Sequence, residues 1–134
     1  VYAVEQDEKR ANMIMANIRR CQSYRVHLVH GQAPDCLSGL PDPDRVFMGG
    51  GMGKERGVLR TICTRLKPGG RLVLHLILFD SLIRARDILA ELGFDQSLSQ
   101  VQVSASADLA GSQRFKSHNP VFVLTAVKPG HPCK

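Results

Sequence analysis

Residues 65–78 read RLKPGGRLVLHLIL, and the fold turns on how this stretch is read. Lys67-Pro68-Gly69-Gly70 is a stop signal, because proline cannot continue a helix and a glycine past the helix end turns the chain. The run after it, RLVLHLIL (71–78), is almost wholly apolar, as a strand covered on both faces of a parallel sheet should be. Just before the stop, Val58, Leu59, Ile62, Cys63 and Leu66 recur at helical spacing. A helix delivering the chain into a buried strand is half of a strand–helix–strand unit.

Upstream, DRVFM (44–48) supplies the other strand and ends abruptly in Gly49-Gly50-Gly51. A second unit precedes it. VYAVE (1–5) is rich in strand formers, and Asp7 offers a helix N-cap. Ala11, Ile14, Met15 and Ile18 then mark one helical face, and VHLVH (26–30) is a strand closed by the turn Gly31-Gln32-Ala33-Pro34. Downstream, Asp80 or Ser81 can cap a third helix carrying Leu82, Ala85, Leu89 and Leu92, with Gly93 near its end. SLSQVQVS (97–104) and PVFVLTAV (120–127) follow as strands. A polar loop, Ala105–Asn119, joins them without a helix, which predicts antiparallel neighbours. The sum is an α/β doubly wound sheet with a C-terminal antiparallel hairpin, in one domain spanning 1–134.

The 134 residues suffice for a single core. With 43% hydrophobic and 22% charged residues the chain is an ordinary globular sequence, which excludes disordered and collagen-like classes. The net charge is +6, carried by scattered Lys and Arg that form either a solvated surface or a cleft for an acidic ligand. Nucleic acid is disfavoured, since there is no Trp and only two Tyr and five Phe on which bases could stack. Cys21, Cys36, Cys63 and Cys133 are too widely spaced for a CxxC pair, so they read as structural thiols in a reducing cytoplasm, with no metal site. No apolar run reaches the roughly 20 residues of a membrane span. The chain opens at Val1 already inside a strand, and domains seldom begin mid-sheet, so a preceding segment is expected.

In open α/β sheets ligands bind at the carboxyl ends of the parallel strands. Four places qualify. Glu5, followed by Gln6, ends the first strand, where a carboxylate can accept from vicinal ribose hydroxyls or simply flank a helix start. Gly31, Gln32 and Ala33 form either an adenine-reading turn or a plain strand-to-helix connection. Gly49, Gly50 and Gly51 allow backbone to approach a ligand closely, or form a flexible loop. His75, within the long strand, is a polar contact or a satisfied core histidine.

These pieces, in this order, resemble the class I S-adenosylmethionine-dependent methyltransferases, and within them the precorrin-6Y C(5,15)-methyltransferase (decarboxylating) family of cobalamin biosynthesis. The similarity is carried by VYAVEQDEKRANMIMANIRR, HGQAPDCLSGLPDPDRVFMGGG, RLKPGGRLVLHLIL and the tail SHNPVFVLTAVKP. The resemblance implies a Rossmann-like fold with S-adenosyl-L-methionine as cofactor. It implies that Glu5 and Gln6 hold the ribose, Gly31, Gln32 and Ala33 read the adenine, and Gly49 lies beside the methionine part. Gly50, Gly51 and His75 would face the tetrapyrrole. Arg114 and Lys116, before Asn119-Pro120, match basic family positions and would contact its carboxylates. The reaction implied is methylation at two meso carbons of a precorrin with decarboxylation of an acetate, which needs no dedicated nucleophile.

The sequence departs from the family in three places. Gln32 replaces the acid of a G-D-A-P turn, so weakened adenine binding is expected. His75 and Leu78 stand where N-A-V-T has Asn and Thr. The acid-x-G-x-G-x-G loop and its central first strand are missing, so the resemblance sets them ahead of VYAVE and implies poor cofactor binding by these 134 residues alone. Family tetramers imply a homo-oligomer, or fusion to a second methyltransferase domain. An RNA or protein methyltransferase of the same fold is the alternative enzyme; a non-catalytic methyltransferase-like subunit is the alternative outside enzymes. An acid-x-G-x-G motif encoded just upstream of Val1 would exclude the last.

Overall fold

The computed structural model describes residues 1–49 and 57–130, in two compact units, Val1–Pro41 and Asp42–Lys134. In the first unit, β1 (Tyr2–Glu5) and β2 (His27–His30) are parallel and in register from Tyr2 opposite His27 to Glu5 opposite His30. The helix between them, α1 (Glu8–Arg20), starts where the sequence places it: the Asp7 side chain accepts from the Arg10 amide at 2.9 Å. Glu8 in its first turn and Arg19 and Arg20 in its last complement the helix dipole. Ala11 is buried, and Ile14, Met15 and Ile18 are half-buried on the same face.

The second unit is built on a four-stranded sheet of order β3-β4-β8-β5. β3 (Arg45–Gly49) and β4 (Arg71–Leu76) are parallel, with α2 (Gly57–Arg65) between them. After α3 (Phe79–Glu91) come β5 (Asp95–Val101) and finally β8 (Val121–Val127), which lies antiparallel to both β4 and β5. The antiparallel pairing expected of the last two apolar segments is therefore present, with β5 two residues earlier at its start. The core joins Leu59, Cys63 and Leu66 at α2, Leu72, Leu74 and Leu76 on β4, Leu82, Ala85, Ile88 and Leu89 on α3, and Phe94, Leu124 and Ala126. Cys63 lies on the buried stripe that the helical spacing predicts.

Three expectations are corrected. Residues 105–119 are not a loop but a second hairpin, β6 (Ser104–Leu109) with β7 (Ser112–Ser117). Ala110 and Gly111 both have positive φ, 49° and 77°, the primed two-residue turn that matches strand twist. The sequence hides it because Ala occupies a position where Asn or Asp is the usual signal. RLVLHLIL is also not covered on both faces: Leu72, Leu74 and Leu76 are buried, but Arg71 and His75 alternate with them and are exposed. Finally, α3 begins at Phe79, with Leu78 as an N-cap that makes no side-chain bond, rather than at an Asp80 or Ser81 cap. No helix among the described residues is long and apolar enough to cross a membrane.

Candidate functional site

In the first unit the parallel register brings the two carboxyl ends side by side. The Gly31 amide donates to the Glu5 carbonyl at 3.0 Å, continuing the β1–β2 ladder by one bond. Glu5 is half-buried, and its Oε1 accepts from the Asp7 amide at 2.9 Å. Its Oε2 faces Arg10 Nε at 3.5 Å. A ring nitrogen of His30, Nε2, lies 3.3 Å from the Gln6 carbonyl. Two of the predicted groups, Glu5–Gln6 and Gly31–Gln32–Ala33, thus stand together at the carboxyl end of the β1–β2 pair.

The turn itself is tight. A Cβ on Gly31 would lie 2.8 Å from Cys36 Cβ, so the position accepts no side chain without movement of the following short 3-10 turn, Asp35–Leu37. Gln32 projects as an exposed residue, while Ala33 and Pro34 are half-buried. An exposed amide and a backbone turn beside a carboxylate form a donor and acceptor set suited to a nucleoside. Glu5 retains acceptor capacity on both oxygens, since an ionised carboxylate offers about four lone-pair sites.

In the second unit, Gly49 lies directly opposite His75 across β3 and β4. The Phe47 ring sits beside Gly49 and meets the His75 imidazole edge-on, with centroids 4.7 Å apart at 84°. His75 is therefore an exposed strand residue in ring contact, not a buried core histidine. Gly50 and Gly51 lie outside the described residues.

Arg114 and Lys116 lie on β7, two residues apart and so on one face of the hairpin. Their cross-strand partners are Ala107 and Ala105, so no acid stands opposite either cation. Both are exposed, and the arrangement suits an anionic group arriving from outside. Sequence reading missed Asp7 and Arg10 as neighbours of the Glu5 carboxylate, His30 as the partner of Gln6, and Phe47 as the partner of His75. The Glu5↔His30 register was recoverable from the strand ends; the side-chain contacts were not.

A family model described as the precorrin methyltransferase domain matches residues 1–128. The cobalt-precorrin-6B C(15)-methyltransferase (decarboxylating) of Salmonella typhimurium is 33% identical over 129 residues, covering 96% of this chain and 66% of that protein. A solved structure titled precorrin-6Y C(5,15)-methyltransferase, from Geobacter metallireducens, superposes with a TM-score of 0.85 at 35% identity. That match covers 95% of this chain and 67% of the other. A solved S-adenosylmethionine-dependent O-methyltransferase from Thermotoga maritima, at 16% identity and a TM-score of 0.74, shares the fold; the match covers 100% of this chain and 51% of that one. The chain spans about two thirds, 65–67%, of the first curated relatives it matches.

Proposed function

The chain belongs to the precorrin methyltransferase domain family, and from that premise we propose that it serves S-adenosylmethionine-dependent C-methylation of a precorrin tetrapyrrole in cobalamin biosynthesis, with loss of carbon dioxide from an acetate side chain. Of the two meso positions the family methylates, C(15) is the one named for both the Salmonella typhimurium and the Geobacter metallireducens proteins. The observation that carries the reading is the strand end at which Glu5 and the Gly31-Gln32-Ala33 turn stand side by side, joined by the Gly31 amide.

In this reading Glu5, with Gln6, holds the ribose hydroxyls, and Gly31, Gln32 and Ala33 read the adenine. Gly49 borders the methionine part. His75, Arg114 and Lys116 face the substrate, together with Gly50 and Gly51 outside the described residues. The cofactor supplies a methyl group on a sulfonium, electrophilic enough that the protein's task is alignment rather than nucleophilic catalysis. No base would be needed: the carbon–carbon bond to the departing carboxylate would break, its electron pair passing through the conjugated macrocycle to the methyl carbon, while the methyl–sulfur pair would leave on sulfur as S-adenosylhomocysteine. Arg114 and Lys116 bind carboxylates that remain, and the net charge of +6 draws in an acidic tetrapyrrole.

The protein works in the cytoplasm and associates with further copies of itself through the β6–β7 hairpin. Phe115, 79% exposed, and Leu109, 54% exposed, are large apolar side chains on a two-stranded ribbon, which is marginal when it stands alone. Isothermal calorimetry of the full-length gene product with S-adenosylhomocysteine tests the cofactor assignment. Saturable micromolar binding supports it, and absence of binding refutes it.

A further inference from the structure

The Glu5 carboxylate is held at both oxygens. Oε1 takes the Asp7 amide at 2.9 Å, and Oε2 faces Arg10 Nε at 3.5 Å. The same Nε lies 3.7 Å from Asp7 Oδ1, which in turn accepts the Arg10 amide at 2.9 Å. Arg10 therefore bridges two carboxylates from the first turn of α1. On the other side, His30 lies opposite Glu5 in the register, with its Nε2 at the Gln6 carbonyl rather than on the carboxylate.

Two features say what this bridge does. The Arg10 side chain is 63% exposed, and an ion pair in that setting adds little to folding stability. The contact to Oε2 is also longer than the roughly 2.7–3.2 Å of an N–H···O bond. It acts as an electrostatic anchor that leaves the acceptor sites of Oε2 open. A carboxylate anchored at one oxygen can still rotate about its terminal bond; attraction of the second oxygen to Arg10 biases that rotation toward one plane.

We propose that Arg10 is a positioning residue, biasing the plane of the Glu5 carboxylate so that it accepts from both vicinal hydroxyls of the cofactor ribose. The proposal rests on the reading of Glu5 as the ribose ligand. It makes Arg10 a determinant of cofactor affinity that acts through Glu5 without touching the ligand.

The test is calorimetry on the full-length gene product with two probes: S-adenosylhomocysteine, and an analogue in which both ribose hydroxyls are replaced by hydrogen, measured by competition. Arg10→Met is expected to weaken the first by about 3- to 5-fold and leave the second unchanged, with Arg10→Lys intermediate. The melting temperature should stay within about 1 °C of the parent, because the pair is exposed. Equal weakening of both probes, or no weakening of the first, overturns the assignment. If Glu5→Gln weakens S-adenosylhomocysteine while Arg10→Met does not, Arg10 alone loses its role. If the parent protein does not bind S-adenosylhomocysteine, the ribose reading fails and the proposal falls with it.

Discussion

The Gly31 amide donates to the Glu5 carbonyl at 3.0 Å, so the residue that opens one turn is fixed against the residue that ends the neighbouring strand. Backbone pairing, rather than side-chain contact, thus sets the spacing between the carboxylate and the Gly31-Gln32-Ala33 turn. Replacing the carboxylate should then change ligand affinity without moving the turn. Glu5→Gln is expected to weaken S-adenosylhomocysteine by about 10- to 100-fold, the loss of charge-assisted bonds to ribose hydroxyls, with an unchanged melting temperature. Calorimetry and thermal denaturation of the variant check both halves.

In the proposed site Gln32 would offer the adenine amine a neutral carbonyl where the G-D-A-P turn that it resembles has an acid. Charge-assisted hydrogen bonds are about twice as strong as neutral ones, so Gln32→Asp should tighten cofactor binding by about 5-fold. A competition titration against the parent protein measures this. Equal or weaker binding by Gln32→Asp would show that this side chain does not read the adenine.

Burial pushes the Cys63 thiol up to about 11, against smaller opposing pulls from Lys128 and Arg60. At pH 8 about one such thiol in a thousand is ionised. Exposed Cys21 should therefore react with a thiol reagent well before Cys63, which should label only on unfolding. Between the ordinary value of 9.0 and about 11 the folded chain keeps a proton that the unfolded chain releases. The unfolded state then binds fewer protons, so the Cys63 contribution to stability is complete below about pH 9 and is lost as pH rises through about 11. Urea denaturation across that window should show a steeper loss in the parent than in Cys63→Ala.

Lys128 Nζ donates to the carbonyls of Cys63, Thr64 and Leu66, at 2.9, 2.8 and 2.6 Å. These are the orphan carbonyls at the end of α2, where a cation is also favoured by the helix dipole. The backbone is stitched at the same point, with the Gly69 amide on the Lys128 carbonyl and the Lys128 amide on the Gly70 carbonyl. Lys128→Met should cost about 1.5–3 kcal/mol, read as a lower denaturation midpoint at unchanged slope.

The parallel pairs β1–β2 and β3–β4 and the three helices were legible because each carries its own periodicity and turn chemistry. Asp7 announced α1 and Lys67-Pro68-Gly69-Gly70 ended α2. The β6–β7 hairpin reads as a loop although β6 alternates, with Ala105, Ala107 and Leu109 on one side: β7 carries Phe115 as its one apolar residue, both strands are exposed almost throughout, and Ala110-Gly111 is a weak turn signal. At the site, strand ends located Glu5 and Gly31, since sheet topology dictates where ligands approach. Arg10 on Glu5 and Phe47 on His75 depend on rotamers and on side-chain distances across three-dimensional neighbours, which spacing along a chain does not encode.

The full-length gene product should be incubated with precorrin-6B, in cobalt-bearing and metal-free forms, and with S-adenosylmethionine carrying an isotopically labelled methyl group. Mass spectrometry and nuclear magnetic resonance of the product then read the outcome. The expected product is a tetrapyrrole that has gained a labelled methyl at C(15) and lost carbon dioxide. A tetrapyrrole without label, with the label instead in RNA or protein supplied in parallel, would contradict the proposed reaction.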